Sequence, residues 1–234
     1  MSLLEHFENA GHVEKRPVVF LINDDAQVRE TLTTALADSS IDVIAFGTAR
    51  EYRRHLRTHS IACLILDRQL ADADGLEFQL QILREFGPPV VVVTKRGDIE
   101  CTVRAMKAGA IEVLTYPVTR TALLAAVHAA FAEDRRLRER NDRLVRLQQR
   151  FKRLTPRERQ VFPLVIAGLR NKQAAWKLGI SEFTLQIHRG QIMRKMAASS
   201  FAELVRMGDQ LNINCESQAP APPRTLVSDD WVPA

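Results

Sequence analysis

From Pro17 onward the chain repeats one pattern five times: a short apolar run, then a segment with helical spacing. The runs are residues 18–22, 41–46, 62–66, 90–93 and 111–114. Each is nearly continuous in Val, Ile and Leu, as strands covered on both faces are, whereas half-exposed strands alternate. The intervening segments carry apolar stripes expected to face the sheet: Val28, Leu32 and Ala35, then Leu76, Leu80 and Leu83, then Val103, Met106 and Ala110. This order predicts a doubly wound parallel α/β domain over residues 17–131, after an extension at 1–16. Ligands of such sheets gather at the carboxyl ends of the strands.

The fifth helix starts near Thr119 and meets no breaker before Pro156. Within it Leu137, Leu144 and Phe151 recur every seven residues, Leu147 and Leu154 fill a companion seam, and Arg140 interrupts that seam. The spacing predicts a long helical linker over 132–153 with a short coiled-coil contact between two copies; a solvated connector lying on its own domain is the alternative. Thr155-Pro156-Arg157-Glu158 then reads as a capped helix start. A second helix begins at Asn171 and ends at Gly179, and Ser181 caps a third. Two helices joined by a tight Gly-containing turn predict a helix-turn-helix. In the third helix Leu185, His188, Ile192 and Met196 form the expected inward stripe. Gln186, Arg189, Gly190, Met193 and Arg194 lie opposite, where Gln or Arg can bond base edges. Lys172, Arg194 and Lys195 are expected beside phosphates, where cations anchor without reading sequence. Pro163 falls inside the first helix, at a cost of about 3 kcal/mol unless a kink absorbs it. Residues 213–234, rich in Pro, Ala and Ser, read as a disordered tail.

Charge sharpens this division. Residues 1–134 carry 14 Lys/Arg against 19 Asp/Glu, and residues 135–206 carry 18 against 5. A basic block beside an acidic one points to a module that binds a polyanion, with a solvated basic helix that has no ligand as the alternative. No stretch carries the roughly 18 uninterrupted apolar residues of a membrane span, and the first residues do not read as an export signal. Three scattered cysteines, Cys63, Cys101 and Cys215, fit a reducing cytoplasm. No Ser/His/Asp, Cys/His or metal-hydrolase grouping is apparent, so an enzyme is not expected.

Asp24 and Asp25 follow the first run and Asp67 the third, so the sheet brings carboxylates together. Clustered carboxylates call for a hard cation such as Mg²⁺. Thr94, ending the fourth run, can donate a hydroxyl into the same cleft. A nucleophilic carboxylate, a metal and a donor are what an aspartyl phosphate needs. Asp residues after strands also serve as helix caps, and that alternative stands beside the first.

LINDDAQVRETL, LILDRQLADADGLEF and VVVTKRGDIECTVRAMKAGAIEVLTYPV resemble, in order, the motifs of response-regulator receivers of the FixJ/NarL type. LTPRERQVFPLVIAGLRNKQAAWKLGISEFTLQIHRGQIMRKM resembles the LuxR-type helix-turn-helix, a four-helix DNA-binding module over 154–212. The resemblance implies a five-stranded flavodoxin-like receiver joined to that module. It implies Asp67 as phosphoacceptor, Asp24 and the backbone carbonyl of Gln69 as metal ligands with Asp67, and Thr94 as switch hydroxyl. It implies DNA contacts from Lys172, Thr184, Gln186, Ile187, Arg189, Gly190, Arg194 and Lys195, and dimer contacts from Leu204 and Val205. Promoter DNA, a histidine kinase, RNA polymerase and a second copy are the implied partners.

Departures accompany the matches. Asn23 stands for the first acid of the acidic pair, Tyr116 for the lysine that meets the phosphoryl group, Val113 for the switch aromatic and Ala71 for a proline. Gln186 replaces a common lysine, and Ala174 and Trp176 alter the scaffold helix. A tyrosine hydroxyl donates one bond without charge, and charge-assisted bonds are about twice as strong. Lys95 or Arg68 are the nearby candidates for a substitute cation. The expected trigger is therefore a receiver acting without ordinary phosphorylation, with phosphorylation of Asp67 as the alternative. Docking of a kinase or another regulator, without DNA, is a further one.

Overall fold

The computed structural model describes residues 16–37, 40–55, 60–95 and 98–213. All but the edges of the expected extension and tail, and Cys215 with them, lie outside these residues. The chain divides into two compact units, residues 1–139 and 140–234.

In the first unit five strands, β1 (Val18–Ile22), β2 (Asp42–Phe46), β3 (Ala62–Asp67), β4 (Val90–Thr94) and β5 (Glu112–Thr115), pair in parallel in the order β2-β1-β3-β4-β5. Alternate residues of one strand feed two cores, which is why the runs are continuously apolar. Val19, Leu21, Cys63 and Ile65 pack with α1 (Ala26–Leu36) and the start of α5 (Arg120–Lys152). Phe20, Ile22, Leu64 and Leu66 pack on the other face with Phe78 and Ile82 of α3 (Gly75–Arg84), Ala49 of α2 (Ala49–Arg54) and Ala105 of α4 (Ile99–Lys107). Strand order reverses between β1 and β3, so Asn23, directly after β1, and Asp67, the last residue of β3, border the crevice of the sheet.

Two helical stripes differ from the expected ones. In α3 the buried residues are Gly75, Phe78, Gln79 and Ile82, while Leu80 and Leu83 are exposed. In α4 Cys101 and Ala105 are buried, and Val103 and Met106 face solvent with Ile99. Each helix carries enough apolar residues for two stripes, and spacing alone cannot say which meets the sheet.

The residues expected as a linker divide between the units. Asp134 is buried in the first, where its Oδ2 accepts from the Ala62 backbone N–H at 2.9 Å and pairs with Arg138 at 2.7 Å. Leu147 and Leu154 belong to the core of the second, which also holds Phe162, Val165, Leu185, Ile192, Met196 and Leu204. That unit continues through α6 (Pro156–Ile166), α7 (Asn171–Leu178), α8 (Glu182–Met196) and α9 (Phe201–Gln210). Thr155 and Glu158 form the capping box, and α6 runs through the buried Pro163 without interruption. Gly179 ends α7 at φ 63°, a left-handed conformation that glycine adopts without steric cost. The Ser181 hydroxyl then accepts from the Thr184 N–H at 3.0 Å and starts α8. No helix among the described residues is long and apolar enough to cross a membrane.

Candidate functional sites

The first site lies at the carboxyl ends of β1, β3, β4 and β5. Asn23 is buried directly after β1. Its Oδ1 accepts the Asp25 N–H at 2.8 Å, which orients Nδ2 toward Asp67 Oδ2 at 2.6 Å and Tyr116 Oη at 3.1 Å. The Tyr116 hydroxyl, after β5 and on a cis bond to Pro117, donates to the same Asp67 oxygen at 3.4 Å. Asp67 Oδ1 accepts the Gln69 N–H at 2.9 Å. Thr94 is buried at the end of β4. Two neutral donors thus converge on one carboxylate oxygen.

Burial pushes the Asp67 carboxyl above its ordinary range, opposed by the Gln69 N–H, supported by the charge of Asp24, and opposed again by Tyr116 and Asn23. Burial, then the Asp67 charge, pushes the Tyr116 phenol up as well. Tyr116 therefore stays neutral and donates.

Of the candidate substitute cations, Arg68 is committed: its Nη1 lies 2.6 Å from Asp98 Oδ2, while Asp98 Oδ1 caps α4 through the Cys101 N–H. Lys95 is exposed. A cation that the sequence did not single out, Arg29, donates to the Asn23 backbone carbonyl at 2.7 Å. Asp25 serves as the α1 cap, accepting from Gln27 and Val28, so the helix-cap alternative holds for it. Asp24 is left exposed beside Asp67. Val113 is half-buried against the α2–α4 side of the sheet.

The second site is the outward side of α8. Gln186, Ile187 and Gly190 are exposed or half-exposed there, Arg194 is exposed with Nη2 2.6 Å from Gln191 Oε1, and Lys172 is exposed on α7. His188 is half-buried beside Leu185, Ile192 and Met196. Other expected contacts are occupied within the fold. Thr184 shares a hydrogen bond of 2.8 Å with the Ser181 hydroxyl. Arg189 donates to Asn171 Oδ1 at 3.0 Å and stacks 5.1 Å over the Phe201 ring. Met193 is half-buried against the core rather than outward.

Lys195 requires a correction. Its Nζ lies 2.7 and 2.9 Å from the two oxygens of Glu158, with side chains 26% and 5% exposed respectively. A lysine held by a buried carboxylate is not presented to a phosphate. Burial works against ionising Glu158, yet hydrogen bonds from Lys195 and Thr155 hold its carboxyl below the ordinary range.

The sequence also passed over Phe183, which is 74% exposed, and marked Trp176, 84% exposed on α7, only as a departure in the scaffold helix. Phe183, Ile187, Gly190 and Arg194 follow a 4-3-4 spacing, a signal that could have marked them as one face.

The residues expected at a dimer seam divide differently. Leu147 and Leu204 are buried in the second unit, and Phe151 is half-buried there against Phe162. Leu144 and Val205 are half-buried and Leu137 is exposed.

The model of the response regulator receiver domain matches residues 19–128, and that of bacterial regulatory proteins of the luxR family matches residues 152–208. The chain belongs to the LuxR-type response regulators. It is 41% identical over 207 residues to Nodulation protein W of Bradyrhizobium diazoefficiens, covering 87% of this chain and 91% of that protein. Against Response regulator protein TodT of Pseudomonas putida the identity is 35% over 205 residues, covering 87% and 90%. The solved structure of response regulator StyR superposes with a TM-score of 0.69 at 40% identity, covering 83% of this chain and 99% of that one. This LuxR-type response regulator is accordingly a two-component protein with a DNA-binding domain.

Proposed function

We propose that this response regulator binds promoter DNA as a dimer through α8, under a receiver whose acidic site works with neutral donors where its family supplies a cation. The observation that carries the DNA reading is the outward face of α8. Gln186, Ile187 and Gly190 form an unobstructed surface there, with Lys172 and Arg194 as exposed cations. An amide can bond base edges in pairs, and the flanking cations suit phosphates. Binding of the full chain to promoter fragments, falling steeply as salt rises, supports this reading, and salt-insensitive or absent binding refutes it.

The apolar stripe of Ile99, Val103 and Met106 on α4 supports self-association through the receiver, since Leu147, Phe151 and Leu204 serve their own core. Promoters are read in the cytoplasm, and buried, unpaired Cys63 and Cys101 accord with that compartment. RNA polymerase is a further partner where the regulator activates. External catalysis forms no part of this role.

The trigger follows from Asp67. A transferred phosphoryl group brings negative charge beside Asp24, and Asn23 and Tyr116 answer it with dipoles only. The donor set still fits Mg²⁺: one or two carboxylates plus water suffice, and Asp24, Asp67 and the Gln69 carbonyl would hold it once Asn23 releases Oδ2. Bound there, the ion would neutralise incoming phosphoryl charge. We therefore assign DNA binding to the unphosphorylated chain. Incubation with acetyl phosphate and Mg²⁺, followed by mass measurement and DNA titration, tests this. Binding that appears only after a phosphoryl mass shift overturns it. That outcome supports a second reading, conventional phosphorylation of Asp67 by a histidine kinase, which the partial exposure of Asp67 and the nearby buried Thr94 hydroxyl favour.

A further inference from the structure

We infer that Phe183 and Ile187 form an apolar reading stripe that recognises thymine 5-methyl groups, so that the operator places A·T pairs where α8 enters the major groove. The inference rests on the reading of α8 as the DNA-facing helix and goes beyond it by naming the base chemistry. Phe183 and Ile187 stand one helical turn apart on one side of α8, 74% and 49% exposed. Their stripe lies opposite the one that Leu185, Ile192 and Met196 bury, so α8 is apolar on two sides. The folded unit has no use for the second. The same unit exposes two cations, Lys172 on α7 and Arg194 toward the end of α8, and a polyanion complements them.

Gly190 supplies an independent observation. It sits inside α8, where glycine weakens a helix, yet a Cβ built there meets no atom within 4 Å. Nothing in the chain needs this residue to be small. An incoming surface would.

The side chains of α8 also indicate which base pair is read. Guanine is read chiefly by a bidentate Arg or Lys. Here Arg189 is bonded to Asn171 and stacked on Phe201 and Lys195 is held by Glu158, while Arg194, exposed toward the end of α8, is left to a phosphate. The exposed groups of the first half of α8 are instead an amide, Gln186, two hydrocarbons, Phe183 and Ile187, and the Glu182 carboxylate in the first turn. In the major groove an A·T pair offers the adenine N6/N7 pair that an amide matches and the methyl that a hydrocarbon matches.

The test uses the full-length protein. Duplexes are selected from a random pool, and the selected sequence is remade with deoxyuridine in place of thymidine, which removes only the methyl groups. Removing one methyl that α8 covers is expected to weaken binding about fourfold. Phe183→Ala is expected to bind the thymidine and deoxyuridine duplexes more nearly alike, and Ile187→Ala likewise. Equal affinity of wild type for the two duplexes overturns the inference while leaving DNA binding intact. Failure to select any duplex removes the DNA reading itself, and the inference with it. Loss of self-association by DNA-free Phe183→Ala in sedimentation would make the stripe an interface between copies, and overturns it too.

Discussion

Replacing Lys195 by methionine separates two roles that charge alone cannot distinguish. The Glu158 carboxylate is 5% exposed, accepts two short bonds from Lys195, and closes the capping box by accepting the Thr155 N–H at 2.7 Å. Removing one partner of a buried ion pair costs about 3–5 kcal/mol. Lys195 is 26% exposed, so water reaches its ammonium and the cost falls to about 2 kcal/mol. For a unit of this size that lowers Tm by roughly 8–16 °C. The double variant Glu158→Gln, Lys195→Met is expected to recover much of the loss, because a glutamine oxygen still accepts the Thr155 N–H and no buried charge is stranded. Thermal unfolding of the three variants measures this coupling. DNA titration over a range of salt supplies the control: a phosphate contact adds about 0.9 to the slope of log K against log salt. Lys195→Met, measured where it is folded, is expected to leave the slope unchanged. A variant with wild-type Tm and a slope reduced by about 0.9 would refute the structural role and return Lys195 to the phosphate backbone.

Other outcomes follow from the same geometry. Gly190→Ala is expected to stabilise the second unit by about 0.5–1 kcal/mol in denaturant unfolding while weakening DNA binding, and tighter binding would mean that no surface approaches there. Asn23→Asp with Tyr116→Lys restores a second acid and a cation beside Asp67, so labelling by acetyl phosphate with Mg²⁺ should speed up; unchanged labelling would mean these positions do not limit it. The Asp67 carboxyl is raised in the fold from 3.8, so the fold favours its protonated form and this contribution is lost as pH rises through the raised value. Asp67→Asn should therefore raise the Tm of the first unit at neutral pH, with the gain vanishing below the ordinary carboxyl value of 3.8, and a gain that persists in acid would contradict the sign. Glu158 behaves oppositely: its carboxyl is lowered from 4.5, so its contribution is present above that value and lost on acidification, and Glu158→Gln should flatten the acid limb of the second unit's stability curve.

The sheet was legible because its central strands β1, β3 and β4 are buried on both faces, which writes them into the chain as unbroken apolar runs. The capping box at Thr155 and the left-handed Gly179 were legible for a similar reason: local geometry demands particular residue types at fixed spacing. What failed was the choice between competing faces. Ile99, Val103 and Met106 obey helical spacing as well as the buried Cys101 and Ala105 do, and Leu147 fits a heptad seam while filling its own domain's core. Lys195 carries a charge suited to phosphate, and nothing local reveals Glu158 on another helix. The Asn23–Asp67–Tyr116 cluster joins residues up to 93 positions apart. The residue types hinted at it through their departures from the family pattern, but the inward turn of Tyr116 is a property of the folded sheet.

The claim on which most depends is that the outward face of α8 distinguishes one DNA sequence from another. The most direct measurement compares full-length protein with Gln186→Ala, Ile187→Ala on a selected duplex and on a scrambled duplex of the same length and salt. Truncating a side chain that reads a base edge should cost about 1–3 kcal/mol of discrimination. The expected result is a double variant that binds the two duplexes nearly alike with an unchanged salt slope. Discrimination as strong as that of the wild type would contradict it and place the reading surface elsewhere.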